Sequence, residues 1–131
     1  MSAFVEEALR IDPPFRNHYR LVTRDTELAG VHIPRGAHLA LVWPAANRDP
    51  DAFEDPDAID LARAKPRSHV GFGWGIHLCV GAPLARAEAR VAIETLIDNT
   101  TWVEIDPDAD PPEHVPSLMV RRLRNLPLRV R

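Results

Sequence analysis

The run Phe-Gly-Trp-Gly-Ile-His-Leu-Cys-Val-Gly, residues 72–81, constrains this chain more tightly than any other stretch. It holds Cys79, the only cysteine, with Gly71, Gly73 and Gly75 before it and Gly81 after it. Glycines at this density let the backbone approach something flat and bulky. From Ala82 the pattern turns helical, and Pro83 stands in the first turn, where its missing N–H costs least. A cysteine just ahead of a helix meets unpaired backbone N–H groups and the positive end of the helix dipole. That setting suits an anionic sulfur, and so a metal-bound thiolate. Taken alone, a single cysteine more often reads as a small buried hydrophobe. A zinc site made of His69, His77 and Cys79 is disfavoured, because His-x-Cys is not a zinc-finger spacing. The glycine run is not a nucleotide-binding loop either. Ile76 stands where a dinucleotide fingerprint needs its third glycine, and no Gly-Lys-Ser/Thr follows.

With 131 residues, 45% apolar and 27% charged, the chain is sized for one globular unit with a modest core. Its net charge of −3 argues against a nucleic-acid partner. No apolar run is long enough to cross a membrane, and no signal-peptide pattern opens the sequence. A lone cysteine excludes an intramolecular disulfide framework and fits a reducing compartment, so the expected location is cytoplasmic. The 13 prolines cluster in the connecting stretches and read as loops pinned over a scaffold.

Ser2–Ile11 reads as a helix, with Ser2 the candidate N-cap and Phe4, Val5, Ala8, Leu9 and Ile11 on one apolar face. Asp12-Pro13-Pro14 ends it. Glu7 and Arg10 lie three apart on this helix, and by themselves read as an ordinary surface ion pair. Tyr19–Thr23 and Leu28–Ile33 read as strands joined across Arg24-Asp25-Thr26. Pro34-Arg35-Gly36 suggests a type I turn, and Ala37–Trp43 a third, more buried strand. Ala45–Arg63 is rich in Asp and Pro and has no clean period, as a meandering loop would. The helix after the cysteine runs to about Ile97, with Ala85, Ala89, Ile93 and Leu96 as its better core face. Trp102–Ile105, Met119–Arg121 and Leu126–Val130 read as the last strands.

These residues together resemble the cytochrome P-450 family of haem-thiolate monooxygenases. Phe72, Gly75, His77, Cys79 and Gly81 fill every fixed place of the family's cysteine-loop pattern, and Leu84-Ala85-Arg86-x-Glu88 extends it as in bacterial members. Glu7-Ala8-Leu9-Arg10 followed by Asp-Pro-Pro looks like the family's Glu-x-x-Arg helix. Asn47-Arg48-Asp49-Pro50, Phe53 and Asp55-Pro56 match its meander, and Asn125–Val130 its C-terminus. The resemblance covers essentially the whole chain, but only the family's C-terminal portion, from the Glu-x-x-Arg helix onward.

The resemblance implies an α+β piece of the mainly α P-450 fold, with residues 1–131 as its C-terminal haem-binding part. It implies haem b (iron protoporphyrin IX) held by the Cys79 thiolate, whose sulfur pushes electron density onto iron and favours O–O cleavage. Backbone N–H groups around Gly81 would bond the sulfur, Phe72 would pack beside it, and Gly73 would bring the backbone close to the ring. His77 and Arg20 would bind haem propionates, although without the resemblance Arg20 reads as a solvated strand arginine. Glu7 and Arg10 become a structural pair. Its usual third member, an arginine two residues beyond Pro56, is Ala58 here, followed by Ile59, which leaves Arg48 or Arg63 to take its place.

Electrons would come from a ferredoxin or flavoprotein reductase docking on the cysteine side, with Arg86 and Arg90 as candidate contacts, and the substrate would be a small organic molecule. In the family the distal oxygen-activating residues lie upstream of the Glu-x-x-Arg helix, so no catalytic residue beyond the haem ligand transfers to this chain. The first expectation is therefore a truncated monooxygenase, inactive unless another chain supplies the rest. The alternative is a non-enzymatic haem-binding or partner-assembling remnant, its apolar faces covered by a complementing chain or by self-association.

Overall fold

In the computed structural model, which describes residues 1–131, helix α1 spans Ser2–Ile11. It stops at Asp12 because the two prolines that follow cannot continue the hydrogen-bond ladder. Met1, not Ser2, occupies the N-cap position, and no side chain caps the helix. Strand β1 (Asn17–Leu21) pairs antiparallel with β4 (His38–Val42), setting Arg20 opposite Leu39. Between them β2 (Thr26–Leu28) and β3 (Val31–Ile33) form a hairpin of their own. The expected strand Leu28–Ile33 is thus broken by the hairpin bend at Ala29 and Gly30, φ 51° and 79°, and only its second half, Val31–Ile33, is a strand of its own. Two successive positive φ values give the twist that suits a short hairpin.

The turn at Pro34 also falls one residue later than expected. The Ala37 amide donates to the Pro34 carbonyl at 3.1 Å, and Gly36 takes φ 89° at the third position, as a type II turn requires. β4 ends at Val42, and Trp43–Ala46 form a single helical turn, α2. No residue of β4 is fully buried, contrary to expectation, because its two-stranded sheet has no second layer over it.

The meander leads to a 3-10 turn at Gly75–His77 and then to helix α3, Ala82–Asn99. On α3 Ala85, Ala89 and Ile93 are half-buried, as their periodicity suggests, with α1 packed nearby, but Leu96 at the end of that line is exposed. Strand β5 (Val103–Ile105) pairs with β6 (Leu128–Val130), whereas Met119–Arg121 contributes only an isolated bridge between Val120 and Phe15. Two backbone bonds stitch that tail segment to the α1–β1 link: Arg16 N–H to the Met119 carbonyl at 2.8 Å, and Arg121 N–H to the Pro14 carbonyl at 2.7 Å. No helix is long and apolar enough to cross a membrane.

The interior is unusually polar. The buried apolar side chains are Val5, Val22, Phe53 and Ala82, with Pro13 beside them, whereas Glu6, Glu7, Arg10, Asn47 and His69 are buried as well. On α1 the buried side is therefore Val5, Glu6, Glu7 and Arg10, and Phe4 and Ala8 of the expected apolar face are exposed. The centre of the chain is organised by charge and hydrogen bonding, and much of its apolar surface faces outward.

Candidate functional site

Arg10 anchors the meander. A guanidinium has five N–H donors, and all five are used here. Nε and Nη2 donate to the two carboxylate oxygens of Glu7 at 2.8 and 3.0 Å, a two-point ion pair. The remaining N–H groups reach the carbonyls of Asn47, Pro56 and Ala58 at 3.0, 2.6 and 2.7 Å. Ala58 thus contributes its backbone where an arginine side chain was expected. The third partner of Glu7 is Arg63, whose Nε donates to Glu7 Oε1 at 3.1 Å, while the Asp60 amide donates to Oε2 at 3.0 Å. Arg63 thus takes the place Ala58 leaves open, although its Nη2 is buried without a hydrogen-bond partner. Arg48 instead pairs with Asp57 at 3.0 Å. Asn47 carries the tie onward: its amide group donates to the Arg10 carbonyl at 3.1 Å, and its Oδ1 accepts from the Val70 amide at 2.8 Å, just ahead of the cysteine loop.

The loop is folded on itself by its backbone. The Cys79 amide donates to the Phe72 carbonyl at 2.9 Å, Gly73 N–H to Val70 at 2.8 Å, and Leu78 N–H to Gly75 at 3.0 Å. Gly73 and Gly75 take φ 78° and 64°, which a side chain would strain. The thiol of Cys79 is exposed, beside Gly81, the N-cap residue of α3; a Cβ on Gly81 would lie 3.7 Å from the sulfur. Neither the Val80 nor the Gly81 amide donates to any backbone carbonyl, so both donors stand free near the sulfur.

This surface fits a flat, largely apolar, metallated group. Ile76 is 97% exposed, Val80 98% and Trp74 74%, and Leu78 and Leu84 also lie open, around a thiol suited to bind a metal. Beside Gly75 there is open space where a side chain would otherwise stand. His77 is exposed in the 3-10 turn and has no acidic partner. Arg20, half-buried on β1, donates only to the neighbouring Tyr19 carbonyl, at 3.0 Å. Neither candidate side chain is therefore paired with a carboxylate. The loop brings Phe72, Gly73, His77, Cys79 and Gly81 together; Arg20 comes from a different element, strand β1.

A second charged cluster was not legible in the sequence. Glu6, next to the motif glutamate, accepts from Arg86 Nε and Nη2 at 2.7 and 3.0 Å and from Arg67 at 3.3 Å, and its Oε2 lies 3.0 Å from His69 Nε2. Arg86, expected as a docking contact, is thus tied inward, with its guanidinium 4.5 Å above the Phe72 ring. Arg90 remains exposed. His69 has both ring nitrogens engaged, which removes it from any zinc site with Cys79. The neighbouring acids Glu6 and Glu7 thus serve two different networks, one holding the meander and the other holding the cysteine loop.

The family model for cytochrome P450 matches residues 1–127. The chain is 48% identical over 130 residues to cytochrome P450 144 of Mycobacterium tuberculosis, covering 99% of this chain and 29% of that protein. It is 41% identical over 129 residues to the erythromycin C-12 hydroxylase of Saccharopolyspora erythraea, covering 98% of this chain and 32% of that protein. The substrate-free structure of cytochrome P450 CYP150A6 from Mycobacterium marinum superposes with a TM-score of 0.93 at 34% identity, over 99% of this chain and 34% of that one. The chain thus spans about a third of the length of the relatives it matches. By its family match, its fold and its sequence identity to these enzymes, the chain belongs to the cytochrome P450 family.

Proposed function

We propose that residues 1–131 are the haem-binding part of a P450 monooxygenase, with Cys79 as the thiolate that would hold haem b. The observation that carries this reading is the exposed thiol at the start of α3, ringed by open apolar side chains and glycine backbone. When bound, the haem iron would supply the dioxygen chemistry that inserts one oxygen atom into a small organic substrate, the other leaving as water with electrons from a ferredoxin or flavoprotein. The chain's own residues hold and tune that group. Cys79 would bind as thiolate, and the Val80 and Gly81 amides, which no backbone carbonyl engages, are the donors that could answer its charge. Phe72 would pack beside the sulfur and exclude water, while Trp74, Ile76, Leu78, Val80 and Leu84 would gain burial against the bound group. His77 and Arg20 would supply charge-assisted hydrogen bonds to the propionates. Substrate recognition and proton delivery require parts of the relatives that lie outside the matched third, so turnover belongs to an assembly larger than these residues. A cytoplasmic location accords with this chemistry.

The test is an absorption spectrum of the purified chain with hemin, reduced and exposed to carbon monoxide. A strongly red-shifted Soret band that vanishes in Cys79→Ala is expected. No such band, or one that persists in the variant, would remove Cys79 as the ligand.

A further inference from the structure

We propose that Glu6 is the positioning residue of the cysteine loop, acting through His69 and Arg86. The inference takes its functional meaning from the reading of Cys79 as haem ligand, but its contacts stand independently of it. The Glu6 side chain is 4% exposed, and both of its oxygens are occupied by groups from elsewhere in the chain. His69 comes from the segment just before the loop and Arg86 from the second turn of α3, so one carboxylate on α1 joins the two ends between which the loop is strung.

The hydrogen bonds fix the direction of this coupling. His69 Nδ1 accepts from the Gly71 amide at 3.1 Å, so the ring proton resides on Nε2 and is donated to Glu6. The carboxylate thereby sets the histidine tautomer, and the tautomer supplies the acceptor that holds Gly71. A Cβ at Gly71 would lie 3.0 Å from the Leu9 carbonyl and 3.1 Å from His69 Nδ1, so the backbone here is pressed against α1 with no slack. On the other side, Glu6 orients the Arg86 guanidinium over the Phe72 ring. The Phe72 carbonyl then receives the Cys79 amide. Two paths, one through His69 and Gly71 and one through Arg86 and Phe72, run from a single carboxylate to the backbone that presents the thiol.

Burial alone would raise the Glu6 pKa, but the hydrogen bonds from Arg86 and His69 more than offset it and keep the carboxylate ionised. A neutral isostere at this position would keep the shape and lose the charge that both partners answer.

The test uses amide hydrogen exchange, read by NMR, on the full chain without haem. In the unsubstituted protein the Gly71 and Cys79 amides are expected to be protected. In Glu6→Gln both should exchange about tenfold faster or more, while the β5–β6 amides keep their rates. A pair of histidine variants separates positioning from packing. Asparagine carries its side-chain oxygen near the place of Nδ1, so His69→Asn should retain Gly71 protection; glutamine reaches the Nε2 position instead, so His69→Gln should lose it. Unprotected Gly71 and Cys79 amides in the unsubstituted chain, unchanged rates in Glu6→Gln, or identical behaviour of the two histidine variants would each overturn the proposal. The hemin spectrum distinguishes the two failures. If Glu6→Gln loosens the loop but Cys79 takes up no haem, the ligand reading fails and the positioning role stands; if Cys79 binds haem and the rates do not respond, the reverse holds.

Discussion

Glu7 accepts hydrogen bonds from Arg10, Arg63 and the Asp60 amide while fully buried. The Arg10 hydrogen bonds, working against burial, hold its pKa down from 4.5 to about 2. The unfolded chain therefore binds more protons than the folded one between those values, and stability present above pH 4.5 is lost as pH falls toward 2. The effect is on the order of 3 kcal/mol. Glu6 acts in the same direction, its lowered pKa reflecting the Arg86 and His69 bonds that overcome burial. Burial also holds His69 below its ordinary 6.5, so its contribution begins to fade as pH drops under that value. Urea unfolding at a series of pH values should show stability falling gently below pH 6.5 and steeply below 4.5. Glu7→Gln should start less stable, since it strands the Arg10 charge, yet lose most of the steep acid limb. An acid limb equally steep in that variant would show that Glu7 is not its source. Sequence spacing made the Glu7–Arg10 pair legible, because residues three apart meet on a helix. The pair's burial and its third member came only from the family resemblance, which named Arg63 as one of two substitutes. The Arg63–Glu7 bond spans 56 positions and the Arg86–Glu6 bond 80, and a single sequence holds no local signal for such pairings.

Among the elements, the long periodic ones were legible and the short ones were not. α1 carries a clear stop at its prolines, and α3 extends only two residues beyond its expected end. The β2–β3 hairpin escaped because three-residue strands are too short to show an alternation and its bend is Ala-Gly, not the usual Asn-Gly or Asp-Gly. The cysteine loop lies between these cases: its glycines were legible, but their separate tasks depend on conformation. Gly75 has a positive φ and empty space around it, so Gly75→Ala should cost roughly 1–2 kcal/mol of backbone strain and little else. Gly73 shares the positive φ, and an added Cβ would also meet the His77 carbonyl at 3.1 Å, so the 3-10 turn must shift to admit it. Gly73→Ala should therefore be the more destabilising of the two in denaturant unfolding. Equal losses would mean that the His77 carbonyl yields freely and that the loop is less tightly wound than its backbone bonds imply.

For the molecule as a whole, the decisive contrast is between a polar centre and apolar margins. Only 10 of the 131 residues are buried, and five of those are polar or charged, so the chain by itself covers little of its own hydrophobic surface. The most open apolar side chains include Ile76 and Val80 beside the thiol and Leu118 in the tail, 85% exposed. Surfaces of this kind associate unless something covers them. In relatives three times as long, further polypeptide is available for that task, and at the cysteine loop the cover we propose is haem. Two parts of the apolar surface should then respond differently. Sedimentation of the purified chain should show association that grows with concentration, together with binding of an apolar fluorescent dye. Hemin should displace dye from the cysteine loop while leaving association through the rest in place, and Ile76→Ser with Val80→Ser should reproduce the dye loss without hemin. If hemin instead dissociates the chain to monomers, the loop face is itself the self-association surface and competes with haem for the same cover. If the chain is monomeric and binds no dye even without hemin, its apolar margins fold over one another in solution, and the open thiol surface that carries the proposed function is not present.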